Sequence, residues 1–286
     1  MRIDAHIHFW QPACGFDNRP VADHAAYRRD FLPQHVQGEL DACGIDAVIL
    51  VQTCPQVEET AWMLELARTQ PRIAGITGWA DLADPALDFA PLLAQPIVVG
   101  VRAQLRRIAD ARFVLQPAVL RNLARALEAG LGVTLLTEAR HYAPVREALA
   151  RLPQGPVTLN HLAMRFPDVV DDDWRGMLDA VARRPDTFVQ LSGLPFLFGD
   201  AWRTPAARDV LDTAWRVLGP GRLLFASDWP MLVRFATYAQ WVHSVEAFLD
   251  ERGAAAGERD LVFRVNAQRA NPRLRIPFPS HPEQTA

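Results

Sequence analysis

The chain has 286 residues, half of them hydrophobic, with a formal net charge of −3. That is enough apolar material for a substantial core, and a near-neutral balance without a long basic run argues against a nucleic-acid or polyanion partner. No apolar run approaches the roughly 18 residues of a membrane span, the N-terminus lacks a signal-peptide pattern, and Cys14, Cys43 and Cys54 have neither metal-type spacing nor an even count, so a soluble cytoplasmic protein without a disulfide framework is expected.

The first predicted strand, RIDAHIH at 2–8, ends in His6 and His8, with Trp10 just beyond. Residues 11–35 read as a loop of roughly 25 residues with little periodicity, a length usually reserved for functional or mobile segments. Within it RDFLP at 29–33 reads as a helix entry or loop anchor. The second strand, DAVILVQ at 46–52, ends in Gln52. A helical pattern follows at 57–70, with Val57, Trp62, Leu64 and Leu66 near one stripe. The third strand, IAGITGW at 73–79, ends in Trp79, and the fourth, PIVVGVR at 96–102, in Arg102. A helix is expected over 117–130, before GVTLLT at 132–137, which delivers Thr137 and then Glu138. Another helix at 143–152 precedes PVTLNH at 156–161, which ends in Asn160 and His161. A helix at 174–184 leads to TFVQLSG at 187–193, with Ser192 near its end. The last helix, 205–218, leads to RLLFASD at 222–228, closing on Asp228. From Pro272 the chain is Pro-rich and expected to fray, so residues 1–271 are read as one domain and 272–286 as a tail.

The strands alternate poorly between apolar and polar, as strands buried on both faces of a parallel sheet do. Eight of them in βα rhythm over about 250 residues fit an α/β (β/α)8 TIM barrel. A doubly wound open sheet usually carries a Gly-rich phosphate turn after its first strand, and HIHFWQPACG does not resemble one.

In such a barrel the chemistry collects at the C-terminal strand ends, and here those ends are polar. Side chains two apart on a strand point the same way, so His6 and His8 can converge, and His161 and Asp228 can reach the same point from across the mouth. Three imidazoles and a carboxylate form a set for one zinc ion. They equally form a metal-free set, with imidazoles polarising a carbonyl and the aspartate handling a proton. Plainer readings stand beside these. Asp228 fits a helix cap, Arg102 a structural ion pair, Gln52 and Ser192 backbone satisfaction at the rim, and Trp10 and Trp229 rim packing. His24, His35, His141, His243 and His281 read as surface or structural, Glu138 as solvated, and the cysteines as small buried hydrophobes.

Taken together, RIDAHIHFW, RRDFLP, VQT at 51–53, GVR at 100–102, the histidine of LNHL, QLSGL at 190–194 and FASDWP at 225–230 resemble the amidohydrolase superfamily. They are most similar to its lactonase-like branch, which takes in sugar-acid lactonases (L-fuconolactonase, L-rhamnonolactonase), sulfomuconolactonase and 2-pyrone-4,6-dicarboxylate lactonase. The resemblance runs from residue 2 to about residue 270. It implies that His6 and His8 are the first-strand pair, His161 the later-strand histidine, Asp228 the final-strand aspartate, and Arg102 the fourth-strand arginine facing substrate. Two-metal members bridge their ions with a carbamylated lysine on the fourth strand. All 30 basic residues here are arginine, so the resemblance leaves one divalent ion or none. Asn160, Met164–Arg165 and Gln190 depart from the branch's usual Asp, Gly-Lys-Pro and Lys, which bears on the substrate more than on the reaction.

The expected activity is hydrolysis of a small carboxylated or hydroxylated lactone. Asp228 would act as general base and then acid, His6, His8 and His161 would stabilise the oxyanion with or without Zn²⁺, and Arg102, Gln52 and Trp10 would bind substrate. A zinc-dependent decarboxylase of the same superfamily and a non-catalytic binding barrel are the competing readings. Oligomeric state stays open between monomer and homo-oligomer.

Overall fold

The computed structural model describes residues 1–15, 25–163 and 171–276. Eight strands form one sheet in strict chain order. They are β1 (Ile3–Ile7), β2 (Ala47–Val51), β3 (Ile73–Gly78), β4 (Val98–Ala103), β5 (Gly132–Leu135), β6 (Val157–Leu159), β7 (Thr187–Leu191) and β8 (Leu223–Phe225). Neighbouring strands pair in parallel. Each strand leads to a helix: α1 (Gln37–Ala42), α2 (Val57–Thr69), α3 (Ala90–Leu93), α4 (Pro117–Glu128), α5 (Tyr142–Arg151), α6 (Asp172–Arg183), α7 (Pro205–Leu218) and α8 (Tyr238–Glu251). The ring closes just past β8, where His8 N donates to the Trp229 carbonyl at 2.7 Å and Asp228 N donates to the His6 carbonyl at 2.9 Å. The architecture is a (β/α)8 barrel, and its closing seam sets the first-strand histidines beside the last-strand aspartate.

β2 and β4 are buried along their whole length, as strands covered by helices outside and side chains inside must be. One apolar cluster fills the space between strands and helices. A smaller one, including Ile3, Ala5, Ile49, Val99, Phe188 and Leu224, plugs the barrel floor. Fully burying a side chain of that size stabilises by roughly 1.5–3 kcal/mol.

The two clusters also show how β1 aims its histidines. Ile3 and Ala5 belong to the floor, whereas Ile7 and Phe9 belong to the outer cluster. The inward parity therefore changes between Ala5 and Ile7, and the β1–β2 register shifts within that stretch. Bulges of this kind re-aim side chains next to active sites. Here the shift turns His6 inward together with His8 and leaves Asp4 facing α8, where Tyr238 Oη donates to it at 3.0 Å.

Several expectations need correction. The buried face of α2 is Glu59, Thr60 and Met63, while Val57 is 57% exposed. The inner stripe is partly polar because Glu59 accepts from Thr53 N and Cys54 N, each at 2.7 Å, so apolar spacing alone misplaced it. α8 was not anticipated, although Tyr238, Trp241, Val242, Val245 and Leu249 carry helical spacing behind a Thr237–Gln240 capping box. The chain beyond Pro272 is anchored as far as Ile276. Leu274 packs into the floor cluster, and Arg273 donates to the carbonyls of Leu93, Gln95 and Val98. Cys14 is exposed, unlike Cys43 and Cys54. Glu138 has a partner, with Arg140 Nη2 at 3.4 Å. His24, His281, Met164 and Arg165 lie outside the described residues.

Candidate active site

The strand ends converge as a barrel mouth requires. His6 and His8 project from β1, and their Nε2 atoms lie 3.0 Å apart. The Asp228 carboxylate stands against all three imidazoles. Its Oδ1 is 3.7 Å from His6 Nε2 and 3.4 Å from His8 Nε2, and its Oδ2 is 3.7 Å from His161 Nε2. Asp228 and His161 both occupy the left-handed region, with φ of 57° and 50°. Non-glycine residues pay for that conformation, and it gathers where a site needs a side chain aimed away from the strand direction.

The far side of each ring is held. His8 Nδ1 donates to the Val51 carbonyl at 2.6 Å. His6 Nδ1 lies 2.9 Å from Gln190 Oε1, which also accepts from Asn160 Nδ2 at 2.8 Å. His161 Nδ1 pairs with Ser192 Oγ at 2.8 Å. A carbonyl oxygen only accepts, so the tautomers that satisfy Gln190 and Val51 carry the ring proton on Nδ1 and turn both Nε2 lone pairs inward; Asn160 Nδ2 also lies 3.1 Å from His6 Nδ1. Burial, with His8 and Arg102 adding to it, keeps the His6 imidazole well below the usual histidine range. Burial likewise takes His161 down to about 4 against the opposing pull of Asp228. Burial would raise the Asp228 carboxyl, but His161, His8 and Arg102 more than offset it, and it stays below its usual range.

Two bare lone pairs 3.0 Å apart repel unless a cation lies between them. Orientation of an imidazole through its other nitrogen is the usual support for a metal ligand. Ligand atoms about 2.0–2.2 Å from one ion in a tetrahedron stand roughly 3.3 Å from each other, close to the separations here. One ligand atom each from His6, His161 and Asp228 fall within 4.8 Å of one another. The residues fit a divalent ion. Of the two readings left open by the sequence, this geometry favours the one with a cation, because inward-facing lone pairs have no proton to donate to a carbonyl.

Arg102, 4% exposed, reaches the same cavity as His8, His161 and Asp228. Its Nε donates to Asn160 Oδ1 at 3.2 Å and its Nη1 to the Gln52 carbonyl at 3.0 Å. Burial among these neutral acceptors lowers the guanidinium to about 9, which still leaves it charged at neutral pH. The structural ion-pair reading is set aside, since both partners are uncharged. The helix-cap reading of Asp228 is also set aside, because its carboxylate faces imidazoles and only its main-chain carbonyl meets Met231 N.

A model of the amidohydrolase family matches residues 3–270. The chain belongs to the amidohydrolase family. It is 31% identical over 278 residues to an L-fucono-1,5-lactonase of Burkholderia ambifaria, covering 93% of each chain. It is 32% identical to an L-fucono-1,5-lactonase of Burkholderia multivorans, covering 94% of this chain and 95% of the other. A crystal structure of an amidohydrolase from Burkholderia multivorans with bound zinc superimposes with a TM-score of 0.84 at 30% identity, over 94% of this chain and 98% of that one.

Within this amidohydrolase barrel, two expected substrate contacts are placed differently. Trp10 is fully buried against Phe31 and Tyr27. Its indole N–H is taken by the carbonyls of Tyr27 and Arg29, so it is a scaffold residue, and Phe31 of the RDFLP stretch is the anchor it packs on. Gln52 turns its Oε1 to Gln104 Nε2 at 2.9 Å and does not line the cavity with Asp228; its backbone carbonyl, holding Arg102, is its link to the site. His141 is buried away from the mouth, with its Nδ1 accepting from Glu138 N at 3.1 Å. Sequence reasoning missed Gly193. A β-carbon there would meet His161 Cβ at 2.7 Å, so only glycine leaves His161 its place; the signal was the Ser-Gly after β7. It also missed Asp4, whose Oδ1 accepts from His6 N at 3.1 Å and Ser227 N at 2.9 Å and so ties β1 to the segment carrying Asp228.

Proposed function

We propose that this amidohydrolase opens small lactones by water addition, with Asp228 moving the proton. The carrying observation is that one carboxylate faces three oriented imidazoles and shares its cavity with the Arg102 guanidinium. The relatives named L-fucono-1,5-lactonase support the lactone ester as the bond broken.

Asp228 is ionised at neutral pH and takes a proton from water as the oxygen adds to the lactone carbonyl. When the ester C–O bond breaks, Asp228 returns that proton to the departing ring oxygen, and the product is a hydroxy acid. A positioned base contributes about 10²–10⁴ in rate. Arg102 presents a planar fork that orients a carbonyl or carboxylate. A single divalent ion, zinc by its three-nitrogen, one-oxygen donor set, would be held by His6, His8, His161 and Asp228; when bound it polarises the carbonyl and acidifies water. That help matters because a carboxylate held below its usual range is a weak base. A carbamate-bridged pair of ions is left out, since the chain has no lysine.

A panel of sugar-acid lactones and muconolactones, followed by acid release with and without chelator, tests this reading. Ring opening restored by Zn²⁺ after chelation is expected. Carbon dioxide release without lactone opening would point to the decarboxylase instead, and inertness to every substrate would point to a binding barrel.

A further inference from the structure

Beside Arg102 the cavity holds a second guanidinium. Arg106 lies in the short turn Leu105–Arg107 that follows β4, and it lines the same cavity as His8, Arg102, His161 and Asp228. Its backbone is tied down, with the amide donating to the Leu136 carbonyl at 3.3 Å and the carbonyl accepting from Arg140 Nη2 at 3.2 Å. Among the described residues no hydrogen bond or ion pair holds its side chain.

Among the described residues, Arg184 and Arg273, which also leave bulk solvent at least in part, are bound. Arg184 donates to the carbonyls of Leu149, Leu152, Pro153 and Gly155, and Arg273 donates to three carbonyls. Arg106 instead borders a cavity whose lining carries two arginines and a single carboxylate. That carboxylate, Asp228, is already engaged with three imidazoles. Nearby Glu138 is paired with Arg140. A bound divalent ion would make the excess of positive charge larger.

We propose that Arg106 selects lactones bearing a carboxylate, which it binds by charge-assisted hydrogen bonds while Arg102 orients the reacting ester. This rests on the lactonase reading and narrows it. A neutral polyhydroxylated lactone would offer Arg106 only uncharged acceptors and leave its charge uncompensated as the cavity closes around it, whereas a carboxylate supplies the opposite charge and matches its planar fork.

The test has a binding arm and a turnover arm. Calorimetry with the metal-loaded protein measures cyclopentanecarboxylate against cyclopentylmethanol. Wild type should prefer the carboxylate, and Arg106→Gln should weaken carboxylate binding by roughly 10- to 100-fold, at least tenfold more than it weakens alcohol binding, with Arg106→Lys recovering part of the loss. In turnover, Arg106→Gln should lower kcat/KM for a γ-lactone carboxylate by at least ten times more than for the matching carboxamide. Equal losses for charged and neutral ligands, or a wild type that binds the carboxylate no better than the alcohol, would overturn the inference. If the carboxylate binds through Arg106 but no lactone is opened, the lactonase reading falls and the carboxylate site stands. If both lactones are opened at a ratio indifferent to Arg106, the reverse holds.

Discussion

His6 Nε2 and His8 Nε2 lie 3.0 Å apart with the opposite nitrogen of each ring fixed, one on Gln190 Oε1 and the other on the Val51 carbonyl. Neither ring can turn its lone pair away without leaving a buried partner unpaired. The pair therefore stands ready for a cation, and the protein is expected to take up one divalent ion per chain. Metal analysis of protein reconstituted with Zn²⁺ after chelation checks this. His8→Ala should weaken uptake by 10-fold or more, and a stoichiometry of two would contradict the single-site geometry.

Gly193 has φ +85°, and an added β-carbon would lie 2.7 Å from His161 Cβ. Gly193→Ala therefore forces His161 to move and strains the backbone by about 1–2 kcal/mol. The expected result is at least a tenfold drop in metal affinity with only a few degrees lost in Tm. Unchanged metal binding in a titration would show that His161 is not a ligand.

Asp4 is fully buried. Desolvation raises its carboxyl from 3.8 to about 6, against the hydrogen bonds from Ser227, His6 and Tyr238. The folded state thus holds this proton more tightly than the unfolded chain does. The associated stability is complete below about pH 4 and is lost as pH rises towards 6. About two pH units at about 1.4 kcal/mol each gives on the order of 3 kcal/mol. Asp4→Asn keeps an acceptor for the two amides and offers Tyr238 a donor. Denaturant unfolding between pH 4 and 7 should show that decline in wild type and its absence in Asp4→Asn; parallel profiles would refute the assignment.

Arg102 donates to Asn160 Oδ1 and the Gln52 carbonyl, both of which survive its removal. Arg102→Met should therefore raise KM by roughly 10- to 100-fold, the worth of a charge-assisted contact, with a smaller effect on kcat. Steady-state kinetics on the best lactone separates the two, and a loss confined to kcat would mean that Arg102 acts in the chemical step.

The strands were legible because parallel barrel strands are short, continuous and β-branched or Leu-rich, and their polar terminal residues marked the mouth. Read that way, His6, His8, His161, Asp228 and Arg102 are residues that the barrel brings together at its mouth. What stayed hidden depends on three-dimensional contact. Trp10 sits next to the histidine pair in sequence but lies beyond the end of β1, where its main chain pairs with Phe31 and its ring packs on Phe31 and Tyr27, a long-range contact that residue types do not show. Glu59 and Thr60 are polar yet face inward, which defeats a purely apolar stripe. Gln190 and Asn160 read from the sequence as departures bearing on the substrate, and only their hydrogen bonds show them beside His6.

If Asp228 moves the proton in lactone opening, acid release by zinc-reconstituted wild type and by Asp228→Asn, side by side on the same lactone, reads that role out. Wild type should open the ring with saturable kinetics, and the variant should turn over about 10²–10⁴ more slowly, with circular dichroism unchanged. Near-wild-type turnover by Asp228→Asn would contradict it.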